Sequence, residues 1–176
     1  EWWDAICKAS HRAIAESEID PHCIRGMSVD TTCCTVLLSG DDMVPLRPAI
    51  LWMDVRASRQ AKQIFASGHD ALKSCGYGMV SAEWLPCKAL WLKENEPELY
   101  HKATRFYECT DWLMYRLTGE YTASLNCAAA RWFYNSEEGG YPVDFYEKIG
   151  LEDLAEKLPE RVLAMGELAG HLTEQA

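Results

Sequence analysis

The segment Pro45 to Ser58 reads PLRPAILWMDVRAS, an apolar run that breaks off into Trp52, Met53, Asp54, Val55 and Arg56. A tryptophan ring close to a carboxylate suits a polyol: the ring covers its C–H face, and the carboxylate accepts hydrogen bonds from its hydroxyls. A second polar group, Asp30, Thr31 and Thr32, follows the stretch Ile24 to Val29. In open α/β sheets ligands bind outside the carboxyl ends of strands, where such side chains converge. Plainer roles compete at these positions. An Asp just before a helix is a standard N-cap, and a Trp closing an apolar strand is ordinarily core. Arg56 reads as structural, paired with Asp54 or with a surface acid.

Other chemistries lack their residues. There is no G-x-x-x-x-G-K-[ST] loop and no G-x-G-x-x-G after a strand, and Gly76-Tyr77-Gly78 signals only a loop. Of the five histidines, His11, His22, His69, His101 and His171, no two stand at metal-ligand spacing on one expected face. Neither a Ser-His nor a Cys-His nucleophile has local support. Asp41 and Asp42 follow Gly40 between two expected strands and read as turn residues. The eight cysteines include no C-x-x-C pair, and all read as reduced core residues. Adjacent Cys33 and Cys34 are expected to point to opposite sides of a strand.

The elements that must position these groups follow from spacing. Trp2, Trp3, Ile6, Cys7, Ala13 and Ile14 mark an amphipathic helix over residues 1–17. Short runs rich in Val, Ile, Leu and Thr predict strands over 23–30, 33–39 and 49–52. Helices are expected over 56–66, closed by Gly68, over 83–94, and over 107–117, ending at Gly119. Shorter ones follow near 126–132, 143–148 and 152–157. Glu83 favours a helix N-terminus through the macrodipole, and Lys88 reads as a solvated face residue. Strands first and helices later describe an α/β domain whose remaining strands are missing. The uncapped start with two tryptophans reads as a piece cut from a longer protein, with exposed apolar surface at the cuts.

Composition bounds the class. The 176 residues, 48% hydrophobic, match about one globular domain of 100–200 residues. A formal net charge of −10, with no offsetting basic cluster, excludes nucleic acid and an anionic membrane surface as expected partners. Apolar stretches break well before about 18 positions, and no export signal opens the chain, so a cytoplasmic location is expected.

The stretches GMSVDTTCCTVLL, LRPAILWMDVRA, KALWLKENEPELY, DWLMYRLTGEYTAS and AGHLTEQA follow one another as in the FGGY carbohydrate kinase family, which the chain resembles over nearly its whole length. The variant VDTT is most similar to the ribulokinase-like branch, or a related pentulose or polyol kinase. The resemblance implies an incomplete ribonuclease-H-like (actin-like ATPase) domain, short β-strands followed by several α-helices. It also implies transfer of the ATP γ-phosphate, with Mg2+, to a hydroxyl of a pentulose or related sugar or polyol.

Residues 1–176 then correspond to part of the first, sugar-binding domain. The opening strands with the Asp-x-Gly-Thr phosphate loop, the catalytic aspartate expected beyond the C-terminus and the whole second domain are absent. Such a chain alone is expected to be inactive. Carried over by position, the sugar contacts fall on Thr32 and Cys33, on Trp52 and Asp54, and on Glu83 ahead of the Lys-x-x-Trp helix. Family members often have longer polar side chains at the first two positions, so substrate choice stays open. Ser124, Asn126, Cys127 and Ala129 also depart from the family pattern and argue against a straightforward xylulokinase or glycerol kinase. A homodimer is compatible with this reading. The rival is a non-catalytic sugar-binding or regulatory protein on the same scaffold.

Overall fold

The computed structural model describes residues 1–76 and 78–176, so Tyr77 of the Gly76-Tyr77-Gly78 loop signal lies outside the described residues. The chain divides into two compact units, Glu1–Asp30 and Thr31–Ala176.

The first unit is built on helix α1 (Trp2–Ser17), which closes on Glu18 in the left-handed conformation, φ 54°. None of its residues is buried, and Trp2 is 37% exposed. A 3-10 turn, Pro21–Cys23, follows, with the Asp20 carboxylate accepting the His22 N–H at 3.0 Å. The strand expected over 23–30 does not form. Its residues are almost all exposed, and no ladder among the described residues supplies its backbone with a partner. A strand without a neighbour gains neither hydrogen bonds nor a buried face.

The second unit interleaves strands and helices, which corrects the expected order of strands first. Strand β1 (Val36–Ser39) is followed by helices α2 (Ser58–Ala66), α3 (Leu85–Asn95) and α4 (Pro97–Lys102). Strand β2 (Arg105–Glu108) leads into α5 (Cys109–Thr118), β3 (Thr122–Ser124), α6 (Leu125–Arg131), α7 (Val143–Lys148), α8 (Leu154–Lys157) and β4 (Arg161–Leu163). β1 pairs antiparallel with β2, placing Val36 opposite Glu108 and Ser39 opposite Arg105, and β3 pairs parallel with β4. All four residues of β1 are buried because the pleat feeds two clusters. Val36, Leu38 and Phe106 join the main core, while Leu37 and Tyr107 pack with Met43.

The expected strand 49–52 contracts to one bridge, Ile50 against Val36. Pro45 and Pro48 bring no N–H to a ladder, and the chain turns at once, with Asp54 N–H donating to the Leu51 carbonyl at 3.0 Å. Tyr107 and Glu108, expected to open a helix, instead end β2. The helix starts at Cys109, two residues later than expected, because Glu108 and Asp111 form a reciprocal capping box, and Gly119 closes it at φ 76°.

That capping box is buried: Glu108 is 0% and Asp111 1% exposed. Asp111 accepts the Glu108 N–H at 2.8 Å. Burial nevertheless pushes its carboxyl up to about 8, outweighing the backbone bonds that favour the charged form. A carboxyl raised in the folded state binds more protons folded than unfolded. Its favourable contribution is therefore full below about pH 4 and is lost as pH rises towards 8. Asp111→Asn keeps an acceptor without the charge, so its stability relative to the parent should increase from pH 5 to pH 8. Urea unfolding across that range measures it, and parallel pH curves for the two proteins would refute it.

Candidate sugar site

The site grows from the turn ahead of β1. Cys34 takes a left-handed conformation, φ 68°, so Cys33 and Cys34 turn the chain instead of alternating along a strand as the sequence suggested. The Glu108 carboxylate fixes that turn, accepting the Cys34 N–H at 2.7 Å through one oxygen and the Trp132 indole N–H at 2.8 Å through the other. Burial raises the Glu108 carboxyl above the usual range, and these donors pull it back.

The carbonyl of the same Cys34 meets Lys88. This residue is 0% exposed, correcting the expectation of a solvated side chain. Its ammonium donates to the Cys34 carbonyl at 2.6 Å and to the Leu51 carbonyl at 2.8 Å. Removal from water lowers its pKa, while Glu108, Asp54 and Glu83 are among the groups that oppose that shift. Lys88 thus ties the Thr31–Cys34 turn to the Leu51–Asp54 turn. The Thr35 hydroxyl adds a second tie by accepting the Trp52 N–H at 3.2 Å.

At the second turn, Trp52 is 41% exposed, so the core reading of its ring does not hold. Asp54 is not the cap of α2, whose N-cap is Ala57. Its carboxylate accepts the Arg56 backbone N–H at 3.0 Å and takes the guanidinium on both oxygens, Nε at 2.9 and 3.0 Å and Nη2 at 2.7 Å. That pairing, chiefly the side-chain bonds, holds the Asp54 carboxyl below the ordinary carboxylate range. The guanidinium also lies 4.7 Å from the ring centre of Trp91, one turn along α3 from Lys88. Arg56 is structural, as the sequence suggested, and its partner is Asp54.

Of the five residues expected to meet sugar, Thr32 and Cys33 lie on the first turn, exposed and half-buried respectively. Trp52 and Asp54 lie on the second, and half-buried Glu83 lies in the turn that opens α3, five residues before Lys88. The sequence reading missed Lys88, Glu108, Asp111 and Trp132 as the groups holding these turns. For Lys88 a signal was present. Leu85, Cys87, Ala89, Leu90 and Leu92 make α3 apolar on every side, and a lysine within such a helix has no wet face to occupy.

The described residues include no group of three or more His, Cys, Asp or Glu that could hold a metal ion. The chemistry their geometry supports is binding: two carboxylates, an exposed indole and a hydroxyl on turns held by buried polar bonds.

This arrangement sits in a fold shared with solved sugar kinases. A crystal structure described as a xyloylose kinase from Brucella ovis superimposes with a TM-score of 0.86 at 23% identity, covering 98% of this chain and 35% of that one. The architecture is therefore the α/β, actin-like fold of those kinases. Residues 1–176 match the FGGY family of carbohydrate kinases, N-terminal domain, and the chain belongs to that family. It is 34% identical to a human FGGY carbohydrate kinase domain-containing protein, over 99% of this chain and 33% of the relative. It is 32% identical to a ribulokinase of Mycolicibacterium smegmatis, over 100% of this chain and 34% of the relative. The chain spans about a third of the length of these curated relatives.

Lys88→Met keeps the apolar stem but leaves the Cys34 carbonyl without its Lys88 donor, while the Leu51 carbonyl keeps the Asp54 N–H. An unsatisfied buried group costs roughly 1–3 kcal/mol, so a loss of about 1–3 kcal/mol is expected in urea unfolding. Lys62→Met, on the exposed face of α2, should stay within about 0.5 kcal/mol of the parent. Equal stabilities for the two variants would contradict the buried tie.

Proposed function

We propose that this chain carries the sugar-binding turns of a kinase that transfers the ATP γ-phosphate to a hydroxyl of a pentulose or related polyol. The observation that carries the proposal is the double tie from Lys88, which holds the Thr32–Cys33 and Trp52–Asp54 turns to one helix. Similarity to a ribulokinase over the whole chain supports a pentulose as substrate.

In this reading the Trp52 indole covers the C–H face of the sugar and the Asp54 carboxylate accepts hydrogen bonds from its hydroxyls. Arg56 keeps that carboxylate ionised and aimed, since a bidentate pair fixes the plane of both oxygens. Glu83 and the Thr32 hydroxyl supply further acceptors, and Cys33 borders the site. ATP, with Mg2+, supplies the phosphoryl group. Phosphoryl transfer needs a phosphate cradle and a base for the hydroxyl proton, so residues 1–176 by themselves bind sugar without turning it over.

The test is ATP-dependent phosphorylation by the intact protein across D-ribulose, L-ribulose, D-xylulose, glycerol and erythritol, with Asp54→Asn alongside. A hydrogen bond to a charged group is worth about 1.5–3 kcal/mol, so KM for the accepted sugar should rise about 10- to 100-fold with kcat little changed. An unchanged KM would remove Asp54 from the site. Sugar binding without turnover on any substrate would favour a non-catalytic protein.

A further inference from the structure

The turn that carries Thr32 also sets one thiol against a second on α6, a pair for which the sugar chemistry has no use. Cys33 Sγ lies 3.8 Å from Cys127 Sγ on α6, although the residues are 94 positions apart in sequence. Cys33 is half-buried and reachable from solvent, whereas Cys127 is 5% exposed. All eight cysteines are free thiols.

The two sulfurs are held together from both sides by one network. Cys33 precedes Cys34, whose N–H and carbonyl are bonded to Glu108 and Lys88. α6 runs directly into Trp132, whose indole N–H binds the same Glu108 carboxylate. A second contact closes the turn nearby, between the Thr31 and Thr110 hydroxyls. Disulfide sulfurs are about 2.05 Å apart, so the pair has about 2 Å to close.

Acidity does not single out the partner of Cys33: burial pushes the Cys34 and Cys87 thiols up to about 12 and the Cys109 thiol up to about 11, and it raises Cys127 as well. Proximity selects Cys127, whose sulfur lies 3.8 Å from that of Cys33.

We propose that Cys33 and Cys127 form a reversible disulfide by exchange with a small disulfide oxidant of the glutathione class, locking the sugar-site turn onto α6. The Cys33 thiolate attacks one sulfur of the oxidant, breaks its S–S bond and releases one thiolate. The Cys127 thiol then gives its proton to solvent, and its sulfur attacks Cys33 Sγ in the mixed disulfide, releasing the second thiolate. Two protein thiols lose two electrons and the oxidant gains them. Burial raises the Cys127 thiol above its ordinary range, so Cys33, the more accessible of the two, meets the oxidant first. One consequence rests on the sugar-site reading above: with its thiol consumed and its turn pinned, the oxidised protein holds sugar more weakly.

The experiment treats the intact protein with glutathione disulfide, blocks remaining thiols with N-ethylmaleimide, and maps peptides by mass spectrometry. The expected product is a Cys33 peptide joined to a Cys127 peptide, released by dithiothreitol. In Cys127→Ser the product should stop at a glutathione adduct on Cys33. Full alkylation of both cysteines in the treated native protein, or a Cys33 linkage to any other cysteine, would overturn the proposal. Sugar KM of the oxidised protein separates the two readings. A cross-link with a KM raised about 10-fold or more supports both, while a cross-link with unchanged KM keeps the disulfide and removes Cys33 from the sugar site.

Discussion

An ammonium group taken out of water costs several kcal/mol unless its donors are used and its charge is answered. Lys88 is that group here, and much of the second unit's local geometry meets its requirement. Two backbone carbonyls from turns that are distant in sequence converge on its nitrogen, and Glu108 and Asp54 are among the acids that offset its loss of hydration. Backbone carbonyls are acceptors wherever the chain goes, so the tie constrains the path of two loops and says little about their side chains. This leaves Thr32, Cys33, Trp52 and Asp54 exposed or half-buried on loops whose backbones are fixed.

Glu108 does the complementary work. Its two oxygens divide between the Cys34 N–H and the Trp132 indole, and its own N–H goes to Asp111. A single residue thereby joins the end of β2, the turn before β1, the start of α5 and the segment after α6. Helix α3 acts on the other side: Lys88 points inward, and Trp91 underlies the guanidinium that grips Asp54. These contacts keep the Asp54 carboxylate ionised and hold its two oxygens in one plane.

Much of the helical content was legible because apolar spacing and stop signals agree there. The spans around α1, α2 and α3 lie within two residues of their expectations, and Gly119 closes α5 through the left-handed conformation that glycine adopts at little cost. Strands were less legible. Residues 23–30 and 49–52 have the composition of strands, but a strand exists only through its neighbour, and neighbour identity is not a local property. β2 was hidden at the start of an expected helix for the same reason. Its partner β1 lies some 70 residues earlier, and the pairing of Val36 with Glu108 is decided across that separation.

The sequence by itself determined the family and the spans around α1, α2 and α3, because order and apolar spacing are written along the chain. Tertiary structure alone decided which partners the polar residues take. It turned Cys34 out of a strand, set Cys33 against Cys127, buried Lys88 and gave Asp54 to Arg56 instead of to a helix end. Each outcome follows from satisfying a buried polar group with a partner brought from elsewhere in the fold, and such partners are chosen by packing in three dimensions.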